Sequence, residues 1–191
     1  MAYSDAYLNR VAKSSADVED ILTELGPKPT GYMAARTTDV AHLTSSTSTT
    51  LSSVSGLAVT LVNDTAGFTY HRLEALVIYD GPVAARDVKI AVVPNVDTGS
   101  GTSTVTGIFT GFDTSLAATH SNQQWQSGVA PTGLALGSNG TTDFTARFTG
   151  IVALPATTTV TVAITMALND GGAAATLNVL AGSFLAASAF L

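Results

Sequence analysis

The sequence predicts an all-β protein: an antiparallel jelly-roll sandwich with a short N-terminal helical arm. Three observations predict it. From Val160 to Leu168 the residues alternate strictly, with Val160, Val162, Ile164, Met166 and Leu168 on one face and Thr161, Ala163, Thr165 and Ala167 on the other. That is the period of a half-buried strand. Short runs of this kind recur at intervals of roughly 8–20 residues, separated by Gly, Asn and Asp turns, and no helical period follows the first turn-rich connector. The resulting count of about eight to ten strands fits a jelly roll best and an immunoglobulin-like sandwich second.

The arm comes first. Leu8, Val11, Ser15, Val18, Leu22 and Leu25 follow the 3,4 spacing of a coiled-coil seam, and Ile21 widens the stripe. Ser14 with Asp17 also reads as a capping box that restarts a helix there. Such a stripe serves self-association, packing on another surface, or folding against its own domain. Gly26-Pro27-Lys28-Pro29-Thr30-Gly31 ends the helix in a stiff, extended connector. Residues 1–35 are therefore read as arm and connector, and 36–191 as the sandwich.

The strands follow. Leu43–Ser53, with its Ser/Thr track, reads as an early edge strand, and Leu57, Val59 and Leu61 continue the apolar phase. Asn63–Gly67 turns the chain into Phe68–Tyr79, where Leu76, Val77 and Ile78 are apolar on both faces and predict a central strand. Val88, Ile90 and Val92 mark the next strand. Thr104–Phe112 is another, interrupted by Gly107 and Gly111. Ser115–Gly128 is too polar for a core strand and reads as a long surface loop carrying Trp125. Val129–Leu136 gives a short strand, and Phe144–Leu154 a longer one. Asn169–Gly172 is a reversal, after which come Thr176–Leu180, the break Ala181-Gly182-Ser183, and Phe184–Leu191. In this last run Phe184 and Phe190 share one face and Leu185 and Leu191 the other. A strand apolar on both faces is covered on both, and a second subunit is one such cover.

Composition narrows the function classes. Hydrophobic residues make up 46% of the 191 residues and charged residues only 12%. After Lys89 the Asp, Glu, Lys and Arg residues are Asp97, Asp113, Asp143, Arg147 and Asp170. A surface of Thr, Ser, Ala and Gly points to area shared with partners. The net charge of −6 argues against nucleic acid binding. There is no cysteine, so disulfides and thiolate metal sites are excluded. The start lacks the basic flank and apolar run of a signal peptide, and no apolar run approaches the ~20 residues of a membrane span. The expectation is a soluble chain made in the cytoplasm.

Catalytic signatures are weak. His42, His71 and His120 stand in no metal-ligand spacing, no G-x-S-x-G elbow occurs, and Thr98-Gly99-Ser100-Gly101 precedes no helix. Asp97 and Asp113 lack the clustered oxygen ligands that Ca²⁺ needs. No cofactor is expected. Trp125, amid Asn and Gln, reads as a sugar-stacking platform or, more simply, as packing or an interface anchor.

Gly150–Leu154, Thr158–Leu168 and Thr176–Leu185, with Ala181-Gly182-Ser183 inside the last, resemble structural proteins of tailed bacteriophages that carry a trimeric jelly roll like those of tumour necrosis factor and C1q. That family often ends in a basic residue after the last strand, where this chain has Phe190-Leu191. The resemblance implies a homotrimer whose last strand lies near the threefold axis, with Phe184, Leu185, Phe190 and Leu191 at the interface.

The function expected from this is non-enzymatic: a trimeric decoration or cement protein on the surface of a phage capsid. Its arm (Leu8, Val11, Val18, Ile21, Leu22 and Leu25) would grip the major capsid protein. Nucleic acid and membrane are not expected partners. A tail-fibre tip that touches host glycan through the Trp125 loop is the alternative. A sandwich-fold depolymerase is the third reading, and it lacks a recognisable carboxylate pair.

Overall fold

A computed structural model of the protein describes residues 32–80, 87–112, 120–127, 134–137, 143–169 and 174–190. The expected helical arm, with Leu8, Val11, Val18, Ile21, Leu22 and Leu25, lies outside the described residues, and so does Leu191. Among the described residues all regular elements are strands: β1 (Tyr32–Ala35), β2 (Val40–Ser46), β3 (Ser52–Asn63), β4 (Thr69–Asp80), β5 (Val88–Thr98), β6 (Thr104–Phe112), β7 (His120–Gln126), β8 (Leu134–Leu136), β9 (Asp143–Leu154), β10 (Thr158–Leu168), β11 (Ala175–Val179) and β12 (Phe184–Ala189).

The strands form two antiparallel sheets. The larger has eight, in the order β1-β12-β4-β9-β6-β7, with β11 joining β4 to β2. The smaller has four, in the order β3-β10-β5-β8. From β3 onward the chain changes sheet at nearly every connection. β3, β5, β8 and β10 belong to the smaller sheet; β4, the β6–β7 pair, β9 and the β11–β12 pair belong to the larger.

Side-chain parity explains why the two sheets face each other. In β4 the odd positions His71, Leu73, Ala75, Val77 and Tyr79 are buried. In β9 the even positions Phe144, Ala146, Phe148, Val152 and Leu154 are buried, and in β10 Val160, Val162, Ile164, Met166 and Leu168. These faces meet in one core, a sandwich-like arrangement in which each large aliphatic side chain contributes about 1.5–3 kcal/mol by transfer from water. β4 is central as its sequence predicts, with β9 on one side and β12 and β11 on the other. In β3 the buried phase slips between Val54 and Leu57, and the ladder with β10 shifts register between Ala163 and Thr165. This irregularity returns the apolar phase to the core.

Glycines in β6 and β9 do not interrupt those strands. Gly107 and Gly150 pair directly, and the Phe148 ring lies over both; a Cβ at either position would come within 2.5 Å of Phe148 Cζ. Phe148 in turn meets Phe109 at 4.8 Å between ring centroids, and Phe109 meets the edge of Trp125 at 6.3 Å. The break Ala181-Gly182-Ser183 is a turn with Gly182 at φ 89°. The fully buried Ser183 hydroxyl accepts from the Ile78 N–H (2.9 Å) and donates to the Ile78 carbonyl (3.2 Å). One short motif thereby ties the β11–β12 turn to the middle of the sheet.

Several expectations change. The polar stretch Ser115–Gly128 is not all loop: its residues 120–126 form β7, paired along β6. Asn122, Gln124 and Gln126 face outward on an outer strand, where polar side chains meet water and only Trp125 turns fully inward. The early Ser/Thr track splits into β2 and the start of β3, with residues 47–51 between them. Tyr32–Ala35, read as connector, pair with β12 as β1. Leu185, expected at an interface, is fully buried in the core beside Ala75 of β4.

Candidate functional site

Ser52 Oγ lies 3.2 Å from His42 Nε2, the spacing of a nucleophile and its base. The same Nε2 lies 3.0 Å from the Met166 carbonyl oxygen. A carbonyl only accepts, so Nε2 carries the proton and donates to it. In that tautomer Nε2 has no lone pair to take the serine proton. The pair is a structural clip joining β2, β3 and β10. His71 is buried within the sheet, and among the described residues no cluster of three His, Cys, Asp or Glu side chains is placed to hold a metal.

Trp125 is 5% exposed, with its indole N–H 3.4 Å from the Val92 carbonyl and its ring against Phe109. A stacking platform for sugar needs an open ring face, and this one is closed. The residue packs β7 onto the core.

The distinctive surface is the outer face of the eight-stranded sheet. Ladder registers place Met33, Ala186, Glu74, Thr149, Ile108 and Gln124 in one row across it. The adjoining row runs Ser188, Arg72, Ile151, Thr106. Met33 is 71% exposed, Tyr70 52%, Ile108 47%, Ile151 42% and Phe190 53%. Phe68 and Tyr70 lead into β4 on this face, and the Phe190 N–H donates to the Tyr70 carbonyl (3.1 Å), so exposed aromatics gather at one end. Arg72 and Glu74 form an exposed ion pair on the same face, and Arg147 stands two strands from β12. Tyr32, Met33, Arg72, Glu74, Ala186 and Ser188 line a shallow depression of about 320 Å³ there. Apolar side chains thus surround a few charges on this face, and the depression among them is open to solvent.

Of the residues expected at an interface, Phe184 and Phe190 lie on this face, Leu185 lies in the core, and Leu191 is outside the described residues. The sequence reading missed Met33, Tyr70, Ile108 and Ile151. The signal was available: Ile151 is odd in a strand whose buried phase is even, and Ile108 is even between Val105 and Phe109, which face inward. Comparison with protein families, curated proteins and solved structures finds no match for this chain.

Proposed function

We propose that the protein is a non-enzymatic structural component of a bacteriophage particle: a homotrimeric jelly roll that decorates or cements the capsid, anchored by its N-terminal arm. The strand order supports the jelly-roll reading. β1-β12-β4-β9 faces β3-β10-β5-β8, the chain alternates between the sheets, and the β6–β7 pair extends the larger one. The observation that carries the oligomer is the exposed apolar outer face of the larger sheet, bearing Met33, Tyr70, Ile108, Ile151 and Phe190. A threefold assembly through that face would leave the smaller sheet outward and bring three arms to one capsid site. Three modest arm contacts then reinforce each other through effective concentration, and binding the assembled shell stabilises it by mass action.

The test has two parts. Light scattering on the purified chain at micromolar concentration is expected to give a trimer mass, and Phe190→Asp is expected to lower it. A chain carrying Val18→Asp and Leu22→Asp is expected to stay folded and trimeric but to leave particles, which then rupture at lower temperature. A monomer overturns the oligomer. Equal heat survival of stripped and decorated particles overturns the cementing role.

A further inference from the structure

We propose that His71 is an acid-sensitive latch on the last strand: protonating its buried imidazole releases β12 from β4 while β4 and β9 stay paired. His71 lies on the inward face of β4, 6% exposed, between Ala189 of β12 and Val152 of β9. Its Nδ1 is buried without a hydrogen-bond partner, and so is Thr69 Oγ1, two residues away on the same face. With Nδ1 buried and unpaired, the site favours the neutral ring over an imidazolium. Arg72 and Glu74, its neighbours along β4, point to the opposite face and pair with each other. The described inward positions of β1, β3, β9, β10 and β12 carry no Asp, Glu, Lys or Arg. The titratable group among them is Tyr32 of β1, opposite Ala187.

Burial consequently lowers the His71 pKa from its ordinary 6.5. The unfolded or opened chain binds the proton more readily than the closed one. Closure is fully stable above the ordinary value and weakens as pH falls through it toward the lowered one. What gives way is decided by the ladders. β9 pairs with β4 along its whole length, Thr69–Asp80, whereas β12 spans only His71–Leu76 and has just the short β1 on its other side. Detaching β12 from its Ala189 end opens His71 to water at a smaller loss of backbone hydrogen bonds than detaching β9 would. The latch works within one chain, whatever the chain binds.

Hydrogen exchange on the full chain tests it, comparing about pH 7.5 with about pH 5 after correction for intrinsic exchange. Amides of β12 are expected to lose protection about tenfold or more in acid, with those of β9 changing much less. His71→Gln is expected to abolish the loss and His42→Gln to keep it. The same acid loss in His71→Gln, or equal losses in β9 and β12, overturns the proposal. If His71→Gln does not fold, the imidazole titration of the unaltered chain by NMR decides. A midpoint below 6.5 that moves with the β12 signals supports the latch. A midpoint at or above that value, or one unaccompanied by β12, overturns it.

Discussion

The Tyr79 hydroxyl donates a hydrogen bond to the Gly137 carbonyl, 2.9 Å away inside the core. Tyr79 belongs to β4 of the larger sheet and Gly137 follows β8 of the smaller one, so this bond stitches the two layers together. Tyr79→Phe keeps the stack on Phe144 but strands a buried carbonyl. The expected loss is about 1–3 kcal/mol, read from a lower urea midpoint at unchanged slope.

The same tyrosine gives an alkaline signature. Burial first, and the nearby Asp87 carboxylate second, raise its pKa well above the ordinary 10.0. The unfolded chain loses its proton at lower pH than the folded one. Stability from this group is complete below pH 10.0 and is lost as pH rises beyond it. In Tyr79→Phe the melting temperature is expected to fall less steeply across that range.

Gly107→Ala is expected to destabilise the fold by about 1–3 kcal/mol. The added methyl would stand 2.5 Å from Phe148 Cζ and 2.5 Å from the Thr149 carbonyl oxygen, and the backbone atom cannot retreat. A lower melting temperature with unchanged far-ultraviolet circular dichroism checks this. An unchanged midpoint would mean that the aromatic packing over the glycine pair is not as described.

Thr157 holds φ at 51° in the corner between β9 and β10, a region that a β-branched residue enters only under strain. Thr157→Gly is expected to raise stability by about 1 kcal/mol, measured as a higher denaturant midpoint.

Leu185 of β12 and Phe190, just beyond that strand, should part company when truncated. Leu185→Ala opens the core and is expected to cost about 2–5 kcal/mol of folding stability. Phe190→Ala removes a ring that is 53% exposed and is expected to leave the unfolding of an isolated chain nearly unchanged. Its effect is expected on association, as an increase of about tenfold or more in the concentration at which copies separate, followed by sedimentation.

The strand phases were legible because alternation reports burial directly. β9 follows its apolar parity, β10 does so only as far as Val162, beyond which Ala163, Thr165 and Ala167 on the small-residue face are buried as well, and the apolar Leu76-Val77-Ile78 run marked the central strand. Asn122-Gln123-Gln124 hid β7, because a strand at the margin of a sheet needs little hydrophobicity when its partner β6 supplies the ladder. Trp125 looked exposed because its neighbours are polar; only the pairing of β7 with β6, which sets its ring against Phe109, shows where it goes. The interface surface was half visible. Phe184 and Phe190 were found by following one strand, but Ile108, Ile151 and Tyr70 join them only when strands distant in sequence lie side by side. Leu185 was misread for a related reason. The two-faced apolar pattern of β12 says both faces are covered, and one of those covers is this chain's own smaller sheet.

β1 and β12 lie side by side, Tyr32 opposite Ala187, although nearly the whole described chain separates them in sequence. During synthesis the place next to β4 therefore stays open until β12 has emerged, since β12 occupies it and β1 has no other strand to rest on. Pairings of such long range form slowly. A ribosome that stalls before Phe184 would release a chain with an uncovered edge on its central strand, prone to aggregate and open to proteases. The order of synthesis thus makes β12 the strand on which closure of the described part of this sheet waits.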